Sequence, residues 1–205
     1  TDVGVFLGMK PSNVLITNSI ESFFKDIDMV IEFGLEDATI RYLKAANKHN
    51  VAFLSGSTGL SESTIKLMKK YSKNIPVFWS PNMSIGANIL KEIAKETSYK
   101  LASDFDIDIT DIHHKAKRDT PSGTALSIKG EMEKKLNDNN IKKKISVSAI
   151  RAGDSTGEHS IIFSGKGEKI ILKHISTSRN IFAHGAIKIS KWLNEKRHGY
   201  YTFKD

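Results

Sequence analysis

The first half of the chain alternates short apolar runs with stretches that carry apolar residues at helical spacing. Such runs are typical of strands buried on both faces of a parallel sheet, and the stretches between them are long enough for helices. A strand–helix alternation with short connections predicts a doubly wound parallel sheet. The predicted strands cover residues 28–33, 51–54 and 75–79, and the predicted helices cover 35–50 and 61–73.

The pattern changes after Ser84, a favourable N-cap for a helix over residues 84–98. Residues 105–112 then alternate strictly between apolar and polar types, which predicts a strand with one wet face. After a loop to Thr120, a second helix is predicted to begin near Ser122, and a last helix covers 182–193. Alternating runs over 145–150, 159–163 and 169–175, separated by Gly-rich turns, predict an open mixed or antiparallel sheet with helices on one face. The residues of the 84–98 helix expected to face the core are Ile85, Ile89, Leu90 and Ile93.

These two unlike halves predict an α/β protein of two domains. The first is a partial Rossmann-like domain with a parallel sheet, covering residues 1–83 and 180–205. The second is an α+β domain with the open sheet, covering residues 84–179. A chain of 205 residues with 39% hydrophobic residues is long enough to bury cores of this kind.

The composition excludes several classes of protein. The chain has no cysteine, so a disulfide scaffold, a thiolate metal site and a cysteine nucleophile are excluded, and a cytoplasmic enzyme is favoured. No apolar run approaches the roughly 18–20 residues of a membrane span, so we expect no membrane partner. No targeting leader follows Thr1, and we expect the sequence to begin inside a longer chain.

The net charge of +8 raises the question of a nucleic-acid partner. Lys and Arg number 12 against 10 Asp and Glu in residues 1–100, and 19 against 13 in residues 101–205. The densest basic stretch, residues 129–144, lacks the interleaved aromatic residues that a base-stacking surface requires. We therefore expect no nucleic-acid partner and attribute part of the charge to an anionic small-molecule substrate.

The sharpest chemical segment is HHKAKRDTPSGTA, residues 113–125. It concentrates His113, His114, Lys117 and Asp119 in a loop, and the following helix N-terminus offers free N–H groups to an anion. The segment predicts a pocket for a dianion, and the alternative is an ordinary solvated loop capped by Ser122. Adjacent histidines on an extended chain diverge and have no ligand at metal-site spacing, so no metal site is predicted.

Four other segments carry polar or small residues at the ends of predicted strands. In an open α/β sheet, ligands bind at the carboxyl ends of the strands. The alternatives for these segments are ordinary turns, a salt-bridged turn and a helix cap. No G-x-G-x-x-G pyrophosphate loop is found in the sequence. The segments are SGSTG (55–59), SPNMSIG (80–86), IRAGDSTGEH (150–159) and HISTSR (174–179), the last followed by FAHGA (182–186).

Together these five segments resemble the dihydrodipicolinate reductase family of bacterial lysine biosynthesis, over about residues 28–205. The resemblance implies that His113 is the proton donor or acceptor and that Lys117 is a second proton-donating group. It implies that His114, Gly123 and Thr124 bind the dicarboxylate substrate. The residues implied to bind the nicotinamide end of NADPH or NADH are Gly56, Ser57, Thr58, Ser80, Pro81, Asn82 and Met83.

The resemblance also implies a chemistry and an assembly. The cofactor delivers a hydride to C4 of a conjugated cyclic imine dicarboxylate, and an acid of the protein supplies a proton. Family members are usually tetramers, so we expect the open sheet to pair subunits in a homotetramer. The choice between His113 and Lys117 as the acid stays open, because residue spacing does not decide it. The choice between NADH and NADPH stays open because the family's ribose-selecting segment precedes the residue matched by Thr1.

The sequence departs from the family pattern at three places. The first strand and the G-x-x-G-x-M-G loop of the family have no counterpart in this sequence. Asp111 stands where the family usually has Glu, and Ser57 stands where Thr is common. Two alternatives therefore remain: another two-domain NAD(P)-dependent dehydrogenase, and a non-catalytic fragment that binds a dicarboxylate.

Overall fold

The computed structural model describes residues 1–205, which form two compact units. The first unit comprises Thr1–Pro81 and Lys188–Asp205, and the second comprises Asn82–Ile187. The first contains α1 (Val3–Phe6), α2 (Ile20–Phe23), β1 (Met29–Glu32), α3 (Glu36–His49), β2 (Ala52–Ser55), α4 (Glu62–Tyr71), β3 (Pro76–Trp79) and β8 (Gly199–Tyr201). The second contains α5 (Ile85–Leu101), β4 (Asp106–His113), α6 (Gly123–Asp138), β5 (Ile145–Arg151), β6 (Glu158–Gly165) and β7 (Glu168–Ile175). Helix α7 (Asn180–Asn194) crosses the boundary between the two units.

The sheet of the first unit is fully parallel, with the strand order β1-β2-β3-β8. Strand β2 is buried along its whole length, as the near-continuous apolar run in its sequence requires. The predicted parallel α/β architecture is confirmed. Strand β8 was not predicted, because three residues, Gly-Tyr-Tyr, are too few to show any period. It pairs with β3, with Val77 opposite Tyr200.

The sheet of the second unit is mixed, with the strand order β5-β4-β6-β7. Strand β4 runs parallel to β5 and antiparallel to β6, which confirms the predicted open mixed sheet. Helices α5 and α6 pack against one face of the sheet and against each other. The buried side chains of this core include Ile107, Ile109, Ile128, Met132, Ile161 and Phe163.

The opposite face of this sheet, which we call the open sheet face, carries a group of isoleucines. Successive side chains of a strand point to opposite faces, so these residues alternate with the core residues. Three of them are about half exposed: Ile150 at 46%, Ile171 at 55% and Ile175 at 51%. Ile112 and Ile162 lie between them on the central strands.

Two serines begin the long helices of the second unit, as predicted. The Ser84 hydroxyl accepts a hydrogen bond from the Ala87 N–H at the start of α5, and the Ser122 hydroxyl accepts one from Ala125 at the start of α6. None of the helices combines the length and the apolar composition that a membrane span requires.

The prediction that Ile89 and Ile93 face the core is wrong. Their exposed fractions are 54% and 48%, whereas Ala87, Leu90 and Ala94 are buried. The buried positions are spaced by three and four residues, as one face of a helix requires. Small alanines on that face allow α5 to approach its neighbours closely, and hydrophobicity alone does not reveal this choice of face.

Candidate active site

Asp111 is a fully buried carboxylate near the end of β4. Its Oδ2 atom accepts hydrogen bonds from the backbone N–H of Ser122, at 2.7 Å, and from Nη2 of Arg151, at 2.9 Å. Burial opposes ionisation, but these hydrogen bonds outweigh it and hold the pKa of Asp111 below its usual value. A buried anion thus ties the end of β4 to β5 and to the N-terminus of α6.

His113 lies two residues further along β4, on the same side of the strand as Asp111. Its Nδ1 atom is 2.8 Å from Oδ1 of Asp111, with the carboxylate oxygen off the axis of the ring N–H. Burial lowers the pKa of His113, as do the nearby Lys117 and Arg151 charges, against the opposing effect of Asp111. Because Nδ1 faces the carboxylate, Nε2 is the atom that can exchange a proton with a bound molecule.

A glycine shapes the other side of the His113 ring. Gly157 has a φ of 148°, a conformation that side-chain-bearing residues rarely adopt. A Cβ at this position would lie 2.9 Å from Nε2 of His113. The absence of a side chain at Gly157 therefore allows its backbone to lie close to Nε2 of His113.

His159 on β6 completes the buried cluster, and sequence reasoning gave it no role. Its Nε2 atom lies 3.4 Å from Oδ1 of Asp111 and 3.2 Å from the hydroxyl of Ser122. Its ring meets that of His113 edge to face, with the centroids 5.3 Å apart. Burial lowers the pKa of His159 to about 4, so the ring is neutral near pH 7.

The sequence signal for His159 and Arg151 is the unusual turn over residues 150–159, whose composition alone assigns no role to either residue. In the structure, His159 stands directly opposite Asp111 on the antiparallel neighbour, and Arg151 stands opposite His113 on the parallel one. Both pairings depend on the register between strands that are distant in sequence. The signal therefore identified the segment but could not connect it to Asp111.

The ligand atoms of Asp111, His113 and His159 all lie within 4.8 Å of one another, a spacing that could hold a metal ion. The second carboxylate oxygen, however, is already bound to the guanidinium of Arg151 and to the Ser122 N–H. A fixed cation 2.9 Å from the carboxylate opposes the approach of a second one. The charge balance of the cluster therefore favours proton chemistry at His113 over metal binding.

The loop after β4 brings the other predicted residues to the start of α6. Nζ of Lys117 lies 2.7 Å from Oδ1 of Asp119. His114 is held by its backbone N–H, which donates to the carbonyl of Ser155 at 2.8 Å. The predicted substrate residues Gly123 and Thr124 are the first two residues of α6, where backbone N–H groups have no carbonyl partner within the helix.

In the first unit, the predicted residues Gly56, Ser57 and Thr58 follow the end of β2. The Ser57 hydroxyl lies 2.8 Å from Oε2 of Glu32, and its carbonyl accepts a hydrogen bond from the Trp79 indole N–H at 3.0 Å. A Cβ at Gly56 would lie 2.2 Å from the ring of the half-exposed Phe33, so any other residue there would require that ring to move. The turn is thus held rigidly and close to β1.

Glu32 organises this turn and was missed by the sequence analysis. It is buried at the end of β1 and accepts hydrogen bonds from the hydroxyls of Ser55 and Thr39, both at 2.9 Å. The Gly34 N–H also donates to it. A cavity of about 280 Å³ lies beside the same end of β1 and is lined in part by Glu32 and Gly34. The only signal in the sequence was an acidic residue near the end of a predicted buried strand.

The predicted segment 80–83 crosses the boundary between the units, since Ser80 and Pro81 belong to the first and Asn82 and Met83 to the second. Within the second unit, the Asn82 amide donates to the hydroxyl of Thr124 at 3.1 Å. The structure therefore gathers Asn82 with the residues predicted to bind the dicarboxylate.

Two family models match the chain. One, described as dihydrodipicolinate reductase, N-terminus, matches residues 1–83, and the other, described as dihydrodipicolinate reductase, C-terminus, matches residues 86–205. The solved structure of a dipicolinate-bound dihydrodipicolinate reductase from Paenisporosarcina sp. TG-14 has a similar fold, with a TM-score of 0.78 at 21% identity. That similarity covers 98% of this chain and 84% of the other.

Curated relatives that carry the name 4-hydroxy-tetrahydrodipicolinate reductase match at higher identity. The relative from Syntrophus aciditrophicus is 34% identical over 219 residues, which cover 100% of this chain and 82% of the relative. The relative from a Nitratiruptor species is 40% identical over 205 residues, which cover 93% of this chain and 80% of the relative.

Proposed function

The chain belongs to the dihydrodipicolinate reductase family, and on this premise we propose which of its residues perform the reaction. The reaction is the reduction of 4-hydroxy-tetrahydrodipicolinate to tetrahydrodipicolinate by NADH or NADPH, in lysine and diaminopimelate biosynthesis. Membership of this family decides against the alternative of another two-domain dehydrogenase.

The substrate carries two carboxylates, and we assign their binding to the loop after β4 and the start of α6. The Gly123 and Thr124 N–H groups lie at the positive end of the helix dipole, where an anion is stabilised. Lys117 supplies a charge-assisted hydrogen bond, and His114 lies in the same loop. Support comes from the related structure from Paenisporosarcina sp. TG-14, whose bound ligand is the dicarboxylate dipicolinate.

His113 is assigned as the group that exchanges the proton, through Nε2. Asp111 fixes the ring from the Nδ1 side and favours the protonated form, while burial disfavours it. Burial has the larger effect, so the pKa of His113 lies below its usual value, and the imidazole is the group that we assign to give and take the proton. Lys117 is assigned as the second proton-donating group, at the substrate rather than in the buried cluster.

The cofactor site is assigned to Gly56, Ser57 and Thr58 together with residues 80–83. Two observations support the fit of this turn to a flat nicotinamide ring. The Gly56 backbone packs where a Cβ would collide with Phe33, and hydrogen bonds to Glu32 hold the turn in place. When bound, the nicotinamide supplies the hydride. The residues assigned here serve the nicotinamide end and do not discriminate NADH from NADPH.

Residues 1–83 with 180–205 are proposed as the nucleotide-binding domain, and residues 84–179 as the domain for substrate binding and oligomerisation. We assign the open sheet face to contacts between subunits of a homotetramer. Exposed isoleucines on a sheet face are costly in water, and a second copy of the chain would bury them. The reaction is placed in the cytoplasm, where biosynthesis draws on the NAD(P)H pool.

The observation that carries this proposal is the grouping of His113 and Lys117 with the N-terminus of α6. Lys117→Ala is expected to lose turnover, with the affinity for NADPH little changed. Lys115→Ala removes an exposed positive charge from the same loop; it is the matched control and should retain activity. Unchanged kcat/KM in Lys117→Ala would refute the assignment of that lysine. Titration of the wild-type chain with NADPH and with 2,6-pyridinedicarboxylate tests the non-catalytic alternative, which predicts binding of the second ligand alone and no turnover.

A further inference from the structure

The carboxylate of Asp119 lies beside Lys117 and the start of α6, which the proposed function assigns to a carboxylate of the substrate. Its Oδ1 atom is 2.7 Å from Nζ of Lys117. Asp119 is also only four residues before Gly123, and the backbone of Gly123 at the start of α6 helps to lower the pKa of its carboxyl group. A lysine ammonium and a helix N-terminus are the two features that would recognise a free carboxylate.

We propose that Asp119 is an internal competitor for the dicarboxylate: its side chain occupies the carboxylate subsite in the free protein and is displaced when substrate binds. This inference rests on the assignment of Lys117 and Gly123 to substrate binding. Asp119 would then lower the affinity for the dicarboxylate, because any ligand must replace the contacts that Asp119 already makes.

The exposure of the pair favours displacement. The side chain of Asp119 is 54% exposed and that of Lys117 is 23% exposed, so the aspartate can move into water without crossing packed structure. Exposed ion pairs contribute little to stability, and a dianion that binds Lys117 and the helix start together replaces the lost contact.

The backbone of Asp119 is anchored even though its side chain is free to move. Its carbonyl accepts a hydrogen bond from Nη2 of Arg151 at 2.7 Å, and the same Nη2 binds the buried Asp111. A change of side-chain rotamer at Asp119 therefore leaves the loop and the His113 cluster in place.

The charges around the site indicate what removal of this carboxylate would do. The loop also contains Lys115 and Arg118, so Asp119 is the single acidic side chain among three basic ones between His114 and Thr120. Lys117 lowers the pKa of Asp119, which is therefore ionised near neutral pH. Without it, Lys117 would be unpaired and available to a ligand.

The test is the affinity for 2,6-pyridinedicarboxylate, measured by calorimetric titration of the whole chain. Asp119→Asn is expected to bind roughly two- to fivefold more tightly than the wild type, the range that corresponds to loss of an exposed ion pair. Asp154→Asn, which removes an exposed charge from the β5–β6 turn, is the matched control and should change the affinity less. Equal gains in both variants, or weaker binding in Asp119→Asn, would overturn the proposal.

Kinetics separate competition from a structural role. Asp119→Asn should lower KM for the substrate and keep kcat within about a factor of two, because it removes only a competitor. A fall in kcat with KM unchanged would mean that Asp119 positions Lys117 and would overturn the proposal. Lys117→Ala separates the proposed function from the competitor role. If this variant binds the dicarboxylate as tightly as the wild type, the assignment of Lys117 to substrate binding fails. If Lys117→Ala binds more weakly but Asp119→Asn does not bind more tightly, only the competitor role of Asp119 fails.

Discussion

Oδ1 of Asp111 lies 2.8 Å from Nδ1 of His113, two residues along the same strand. The i and i+2 positions of β4 place both side chains on one face, and burial of the carboxylate leaves the imidazole one orientation. The spacing of these two residues in the sequence therefore turns Nδ1 toward the carboxylate and leaves Nε2 as the nitrogen that the proposed function assigns to proton exchange.

Asp111→Asn is expected to lower kcat/KM by about a hundredfold, the lower end of what a positioned acid contributes. Asp111 raises the pKa of His113 by its charge, so the variant should also move the fall in activity with rising pH to lower pH. The pH dependence of kcat/KM measures both effects. Asp111→Glu keeps the charge and should restore most of the activity, and a pH profile identical to the wild type in Asp111→Asn would contradict the relationship.

His159 is expected to make the stability of the fold depend on pH. In the unfolded chain it binds a proton near pH 6.5, but in the folded protein only near pH 4, because burial disfavours the charged ring. Below pH 6.5 the unfolded chain binds more protons, so the free energy of unfolding falls as the pH drops from 6.5 toward 4. The stabilisation lost by pH 4 is at most roughly 3 kcal/mol.

His159→Gln tests this effect, since the amide can replace the Nε2–H group without titrating. Denaturant unfolding at about pH 7 and about pH 5, on either side of the reference pKa of histidine, should show a smaller loss of stability in the variant than in the wild type. His198→Gln, at an exposed position, is the matched control and should keep the wild-type difference. An undiminished difference in His159→Gln would assign the pH dependence to other groups, such as His113 and His174, whose pKa values burial also lowers.

Glu32→Gln is expected to weaken NADPH binding without affecting the dicarboxylate. The change places an amide N–H₂ in place of one of two accepting oxygens. Oε2 accepts hydrogen bonds from the Ser55, Ser57 and Thr39 hydroxyls, and Oε1 accepts one from the Gly34 N–H. A lost acceptor in a buried network costs about 1–3 kcal/mol, so we expect KM for NADPH to rise about tenfold, with the affinity for 2,6-pyridinedicarboxylate unchanged. The control is Asp37→Asn, which removes an exposed charge from the first turn of α3. An equal rise in KM for NADPH in this variant would mean that the loss of negative charge, and not the loss of the hydrogen bonds, weakens binding.

The sequence predicted the elements well where the signal was local. Ser84 and Ser122 cap their helices as expected, and the alternating run over 105–112 forms β4. The cluster around Asp111 was not predicted, because it depends on the register that sets His159 opposite Asp111. Such register depends on packing between distant segments, and single-chain periodicity carries no information about it.

The open sheet face gives the last prediction, which concerns assembly. Ile171 on β7 is 55% exposed and lies next to Ile162, so it should be buried when two subunits pair. Ile171→Glu would place a charge in that contact and is expected to shift the protein from a tetramer to a smaller species, because an unpaired buried charge costs more than the lost apolar contact. Light scattering after size-exclusion chromatography measures the change. Leu126→Glu, a 50% exposed position on α6, is the matched control and should remain tetrameric. A wild-type chain that is monomeric, or an Ile171→Glu variant that stays tetrameric, would show that the subunits do not assemble through this face.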